Sequence, residues 1–168
     1  NWINNLQLLK IVFYRHEKTN LNDGSFLGIG RNPDIIKVKK KFDTNFDLIV
    51  TSKLKRAVNS GKLFKAKKTI QNSLLNEINY GLAEGMKIDE LGELFPEILI
   101  QWNNKKDPKF PEGESQQDVL KRLNKFFKEI IFENNTAVFT HNVVLRVLIG
   151  KLYKTDTHNW FKISPQHL

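Results

Sequence analysis

Three short apolar runs, each followed at once by a basic or hydroxyl side chain, place the strongest limit on how this 168-residue chain folds. They are Leu8 to Tyr14 (LLKIVFY), Asp47 to Thr51 (DLIVT) and Thr136 to Thr140 (TAVFT). Runs this short, rich in β-branched and aromatic residues and lacking polar alternation, read as buried strands. Thr69 to Leu75 is a weaker strand candidate. Longer amphipathic stretches lie between them, which is the pattern of an α/β domain. Leu54, Ala57, Val58 and Phe64 suit a helix within Lys53 to Ala66. Val119, Leu120, Leu123, Phe126, Phe127 and Ile130 follow at helical spacing, so a helix is expected from Gln116 to about Phe132. Ser115 stands as its N-cap with Asp118 at the third helical position, a variant of the capping box. A further helix is expected from Val143 to Tyr153.

The length suits one domain with a proper core. A mean hydropathy of -0.43 with 12 Phe and 3 Trp excludes a chain that stays unfolded for want of apolar surface. No apolar run approaches the roughly 20 residues that span a bilayer, so no membrane partner is expected. The chain opens without a basic region leading into an apolar stretch, so a secretion signal is not expected and the cytoplasm is the default location. Asn1 is not an initiator Met. The absence of cysteine excludes disulfides, thiolate metal sites and thiol nucleophiles. The formal charge of +9, from 27 Lys+Arg against 18 Asp+Glu, invites either nucleic acid or a phosphorylated anion as partner.

Met86 to Gly113 departs from the pattern. It holds Pro96, Pro108 and Pro111 together with exposed-looking Leu94, Phe95, Ile98, Ile100 and Trp102. A short helix with an irregular excursion is expected, either covering a site or forming a surface insertion with its own apolar cluster.

The residues after the strands carry the chemistry. Arg15-His16 follows the first strand, Ser52 and then Arg56 the second, and His141 the third. In open α/β sheets ligands bind beyond the carboxyl ends of the strands. Parallel neighbouring strands would therefore bring two Arg and two His to one edge. Arg offers planar bidentate donors to phosphate, and helix N-termini add backbone donors.

Arg15-His16-Glu17-Lys18-Thr19 with Asn22 resembles the signature of the histidine phosphatase, or phosphoglycerate mutase-like, superfamily. Four further segments agree in order: Ser52 to Ala57 (SKLKRA), Glu77 to Gly85 (EINYGLAEG), Gly113-Glu114-Ser115, and Thr140-His141 with Arg146. The resemblance implies a three-layer α/β/α sandwich with a mostly parallel central sheet flanked by helices, and a cap-like insertion at about residues 86–113. It implies a catalytic set of His16, Arg15, Arg56, His141 and Glu77, with Glu84 competing for the role of proton donor. Arg15, Asn22, Arg56, Glu84, His141 and Asn142 would hold the substrate. His16 would become a phosphohistidine, and neither a metal nor another cofactor is expected.

Three departures stand out. Glu17 and Lys18 occupy positions where the family usually has Gly and Glu, with solvent exposure the expected arrangement for Glu17. Asn142 and Val143 replace small glycines. Pro33 to Asp47 is short, leaving only Ile35 to Phe42 of the family's first long helix. Leu168 arrives where a last strand is expected.

Ile78 stands where the mutases carry Arg, which argues for hydrolysis of a small phosphorylated metabolite over mutase-type transfer. A catalytically impaired phosphate-ligand binder is a further alternative. A basic nucleic-acid-binding module is the last. It draws on Lys37, Lys39, Lys40 and Lys41, on Lys62, Lys65, Lys67 and Lys68, and on nearby Phe42, Phe46 and Phe64. No nucleic-acid motif accompanies them, and none is expected as a partner.

Overall fold

Of the four strands of the sheet, three fall on the apolar runs and the fourth on a lysine-rich segment. The structure, a computed structural model, describes residues 8–37 and 41–168. The strands are β1 (Lys10–Arg15), β2 (Asn45–Thr51), β3 (Lys65–Gln71) and β4 (Asn135–Thr140). Their order is β1-β4-β2-β3, with every pairing parallel. Arg15 pairs with Thr140 and Thr51 with Phe139, so the three apolar strands end at one level.

Side chains alternate across the sheet and build a core on each face. Leu48, Val50 and Val138 face α4 (Gln116–Glu129) and α5 (Asn142–Leu152), packing on Val119, Leu123, Phe126, Val144 and Val147. Ile49, Ala137 and Phe139 face the other way, onto Ala57 of α1 (Lys55–Gly61) and onto Leu63 and Phe64, and Phe46 near the start of β2 belongs to this second cluster as well. This is the α/β/α layering that the sequence leads one to expect. The Ser115–Asp118 box starts α4: Asp118 N donates to Ser115 Oγ at 3.2 Å and Ser115 N to Asp118 Oδ2 at 3.1 Å.

The fourth strand lies earlier than Thr69 to Leu75. It begins at Lys65, inside the stretch expected to be helical, and Ser73–Leu75 is a 3-10 turn. The turn is set by Asn72, whose side-chain oxygen accepts from Leu74 N at 2.9 Å. β3 was hard to see because it is an edge strand: only Ala66 and Ile70 of KAKKTIQ are even half-buried. Its lysines blunt the free edge, and Lys67 meets Asp47 at 2.6 Å while Lys65 meets Asp43 at 3.1 Å. Phe46 and Phe64, which a nucleic-acid surface would need exposed, are buried. Lys39 and Lys40 lie outside the described residues, as does the centre of Ile35 to Phe42. The described part of that segment contains no helix, and Ile35 bridges Thr19.

Met86 to Gly113 contains two short helices, α2 (Ile88–Leu94) and α3 (Pro96–Asn103), joined at Phe95. Pro96 suits the first helical position, where its missing N–H is no loss. Ile98 is not exposed as its neighbourhood suggested. It joins Leu91 and Phe110 in the main core, and of the five apolar residues expected to be exposed only Leu94 and Ile100 reach solvent freely. No strand follows α5 among the described residues. Thr157–Lys162 is a 3-10 helix, and residues 163–168 run without regular structure across the carboxyl ends of the strands. Among the described residues no helix is long and apolar enough to cross a membrane.

Candidate active site

The backbone ladder extends one residue past each strand and fixes the site. His16 N donates to Thr140 O at 3.0 Å, and Ser52 N donates to Phe139 O at 3.0 Å. His16, Ser52 and His141 are thereby gathered at adjacent strand ends, and the two imidazole centroids lie 5.2 Å apart.

His16 is buried, and its Nδ1 lies 2.6 Å from Glu17 O. A carbonyl only accepts, so Nδ1 carries the proton and Nε2 keeps a free lone pair. Burial, with Arg56, His167 and Arg15 nearby, pushes the His16 pKa down to about 3 against the opposing pull of the Glu17 carbonyl. The imidazole is therefore neutral at ordinary pH. Glu17 N donates to Ser60 Oγ at 2.8 Å, and the half-buried Glu17 carboxylate takes Lys18 N at 3.4 Å. It is neither fully exposed nor bonded to the basic groups of the site.

His141 caps α5 and is fully buried; burial holds its pKa well below the ordinary imidazole value. Its Nε2 lies 2.7 Å from Ser52 Oγ. Its Nδ1, with Arg15 Nε and Arg56 Nε, is a buried polar atom without a hydrogen-bond partner among the described residues. Such groups are costly unless something accepts from them. Arg15 Nη1 donates to Pro165 O at 2.8 Å, and Arg56 donates to Gly28 O at 2.8 Å and Arg31 O at 3.3 Å. Each guanidinium is thus anchored at one end and open at Nε.

Glu77 faces this group from the loop after β3. Its Oε1 accepts from Ile78 N at 3.0 Å and Val143 N at 3.2 Å, at the start of α5. Burial raises its pKa from the ordinary carboxylate value, although these amides and Arg56 and Arg122 oppose the rise. Glu84 is placed differently. Its carboxylate accepts from Gly28 N at 2.9 Å and Arg31 N at 3.3 Å, and pairs with Arg31 Nε at 3.5 Å. It fastens the 28–31 loop whose carbonyls hold Arg56. Asn22 is exposed, and its side-chain oxygen accepts from Thr19 N at 2.7 Å. Asn142 opens α5, and its Oδ1 is buried without a partner among the described residues.

Several contributors carried no sequence signal. Arg122 donates from one side chain to Glu114 at 2.9 Å, Leu74 O at 2.7 Å and Glu77 O at 3.1 Å, which fixes the Glu77 loop. A lone Arg between Lys121 and Leu123 in a helix reads as solvated. His167 donates through Nδ1 to His16 O at 2.8 Å with its ring edge-on to His16 at 5.3 Å. Only the fold brings residue 167 to residue 16. Arg146, which the sequence does single out beside Thr140-His141, anchors the same segment through Nε to Ile163 O at 2.7 Å.

A cleft of about 410 Å³ opens beside Glu77, with Phe26, Ile78, Tyr80, Trp102, Phe110 and Arg146 in its wall. Among the described residues no group of three or more His, Cys, Asp or Glu side chains is disposed to hold a metal ion.

Comparison with known proteins bears on the family and the fold. Rat 6-phosphofructo-2-kinase/fructose-2,6-bisphosphatase 4 is 30% identical over 126 residues, taking in 68% of this chain and 27% of that protein. The corresponding enzyme of Aquarana catesbeiana is 31% identical over the same length and shares. The chain thus spans about a quarter of the length of these relatives. Among solved structures, the alpha-ribazole phosphatase of Shigella flexneri superposes with a TM-score of 0.75 at 22% identity, over 94% of this chain and 86% of that one. The mycobacterial glucosyl-3-phosphoglycerate phosphatase Rv2419c gives 0.69 at 19% identity, over 94% and 85%. These two likenesses establish the fold. The profile of the histidine phosphatase superfamily (branch 1) matches residues 37–168, a span that includes Arg56, Glu77, Glu84 and His141, while Arg15, His16 and Asn22 precede it. With most of its length matched, the chain belongs to the histidine phosphatase superfamily.

Proposed function

We propose that the chain is a phosphatase that hydrolyses a small phosphorylated metabolite through a phosphohistidine. The observation that carries this reading is the tautomer of His16: Nδ1–H is committed to Glu17 O, and Nε2 is a neutral nucleophile. Nε2 attacks phosphorus, the N–P bond forms, and the bond to the leaving oxygen breaks. The open Nε–H groups of Arg15 and Arg56 and the Nδ1 of His141 receive the phosphoryl oxygens as charge builds on them. Glu77, whose pKa burial raises, gives its proton to the leaving oxygen. Its carboxylate then takes a proton from water, whose oxygen attacks phosphorus. The N–P electron pair returns to Nε2 and inorganic phosphate departs.

Glu84 is a positioning residue for Arg56 in this scheme, because its oxygens serve the 28–31 loop. No step calls for a metal. Ile78, buried behind Glu77, puts no cation where a mutase would use one, which favours hydrolysis over transfer.

The test is phosphate release from an aryl phosphate with excess chelator present. Wild-type protein is expected to turn over, to trap radiolabelled phosphate in an acid-labile form, and to lose both properties in His16→Ala. Turnover that survives this substitution would overturn the mechanism. Binding of a phosphate ester without hydrolysis would favour the impaired-binder reading.

A further inference from the structure

We infer that the substrate's leaving group carries a flat aromatic or similarly apolar ring, seated in the cleft beside the phosphate site, and that sugar bisphosphates fit poorly. This inference rests on the phosphatase reading above, and it concerns which ester that site selects.

The cleft adjoins the proposed chemistry through neighbours of Glu77, although its wall holds none of the reacting side chains. Ile78 directly follows Glu77, and Val143 of the same wall donates its N–H to Glu77. Arg146, also in the wall, acts electrostatically on Arg15. We seat a leaving group protonated by Glu77 in this cleft because Ile78 and Val143 bring its wall up to the Glu77 carboxyl. Its volume falls within the roughly 300–1,000 Å³ of small-molecule sites.

The walls are aromatic and already set. Phe26 and Tyr80 lie 4.8 Å apart, Tyr80 meets Phe110 at 4.8 Å and 89°, and Trp102 meets Phe110 at 5.7 Å. These are edge-to-face or tilted pairs that fix one another's orientation. Ile88 and Phe161 stand at the mouth with 49% and 60% of their surface exposed. Apolar surface left open around a preformed aromatic pocket favours a guest that removes it from water.

The charges argue the same way. Arg146 is the one Lys or Arg in the wall, and its Nε already serves Ile163 O. Asp107 is committed to the start of α4, accepting from Gln116 N at 3.1 Å and Gln117 N at 2.9 Å. Gln116 Nε2 donates to Asp107 at 3.2 Å and Thr157 O at 3.4 Å. A second phosphate would find one partly occupied guanidinium beside the His158 ring, and sugar hydroxyls would find Asn103, His158 and the Tyr80 hydroxyl in a wall otherwise made mostly of apolar and aromatic side chains.

The test compares 2-(1-naphthyl)ethyl phosphate, ethyl phosphate and a hexose bisphosphate. The first two leave as alcohols of similar basicity, so their intrinsic reactivities cancel. The naphthylethyl ester is expected to show a kcat/KM about tenfold or more above ethyl phosphate, carried by KM. Trp102→Ala and Phe161→Ala, the latter at an exposed position, are expected to pull that ratio toward one. A wild-type ratio near one, or a preference for the bisphosphate, would overturn the inference and leave the phosphatase standing. Failure to hydrolyse all three esters would overturn the phosphatase instead. Calorimetry then judges the cleft alone: tighter binding of naphthylethyl than of ethyl phosphate sustains it, and equal affinity ends it.

Discussion

Ser52 Oγ lies 2.7 Å from His141 Nε2, and among the described residues this nitrogen is the one acceptor within reach of the Ser52 hydroxyl proton. Ser52 Oγ also accepts from Leu54 N at 3.2 Å, and the residue is wholly buried. A buried hydroxyl places its proton on an available acceptor, so Nε2 is unprotonated and Nδ1–H is the donor left for the phosphoryl group. Ser52→Ala removes that constraint on the tautomer. We expect kcat to fall about tenfold, with the nitrogen shifts of His141 in NMR moving toward a mixture of tautomers. Loss of rate with the tautomer unchanged would contradict this role for Ser52.

The pH dependence follows from His16 and Glu77. His16, with a pKa of about 3, is a competent nucleophile throughout the mildly acidic range. Glu77 is effective while protonated, and burial extends that condition to higher pH than for an ordinary carboxyl. Activity is therefore expected to hold in mild acid and to fall as pH rises through the raised pKa of Glu77. The alkaline limb of log kcat should flatten in Glu77→Gln. An alkaline limb unchanged by that substitution would assign it to another group.

The three apolar strands, the capped helix α4 and the placement of Arg15, His16, Arg56 and His141 were legible because each rests on a local pattern. Burial on both faces gives an unbroken apolar run, and a strand end gives the next residue its place. β3 was misplaced because an edge strand needs few apolar residues and here carries lysines. Ile98 was misread because local sequence shows that a segment is apolar, while only the packing of α2 and α3 shows which side meets the core. Glu77 and Glu84 stood as rivals because both are acidic residues in one motif. Their difference lies in what they accept from: an α5 amide for Glu77, and loop amides from a segment some fifty residues earlier for Glu84. His167 beside His16, and Arg122 beneath Glu77, are products of tertiary structure alone.

That difference between the two carboxylates is measurable. On an alkyl phosphate, whose leaving group needs a proton, Glu77→Gln is expected to lose about 10²- to 10⁴-fold in kcat. On an activated aryl phosphate the loss should be much smaller. Glu84→Gln keeps an acceptor for Gly28 N and should affect both esters alike and mildly. Glu84→Ala frees the loop that anchors Arg56 and should chiefly raise KM. A leaving-group-dependent loss in Glu84→Gln would reverse the assignment.

Glu77 also leaves a mark on stability. Its folded pKa is raised, so the folded state binds the proton more tightly than the unfolded chain. The stability this contributes is complete below the unfolded carboxylate pKa and is lost as pH rises through the folded value. Gln keeps an acceptor for the Ile78 and Val143 amides and has no charge to bury. The Tm of Glu77→Gln relative to wild type is therefore expected to climb from acid toward neutral pH, followed by calorimetry in buffers of constant ionic strength. A difference that stays flat across that range would mean that Glu77 is not held protonated.

The last expectation concerns the support of α5, the helix that His141 caps. Gly150 lies against the indole of Trp160, and a Cβ there would overlap the ring. Trp160 is buried and its Nε1 donates to Thr155 O at 3.0 Å, so the indole cannot withdraw without giving up both burial and that bond. The helical backbone of Gly150 would otherwise welcome alanine, which gains roughly 1 kcal/mol in an unobstructed helix. Here overpacking costs about 1–3 kcal/mol and reverses the sign. Gly150→Ala should therefore lower the urea midpoint with the m-value retained, and Gly150→Ala combined with Trp160→Phe should recover part of the loss. Stabilisation by the single substitution would show that the helix and the 3-10 segment separate easily, and that the chain crossing His16 is less firmly anchored than this contact makes it.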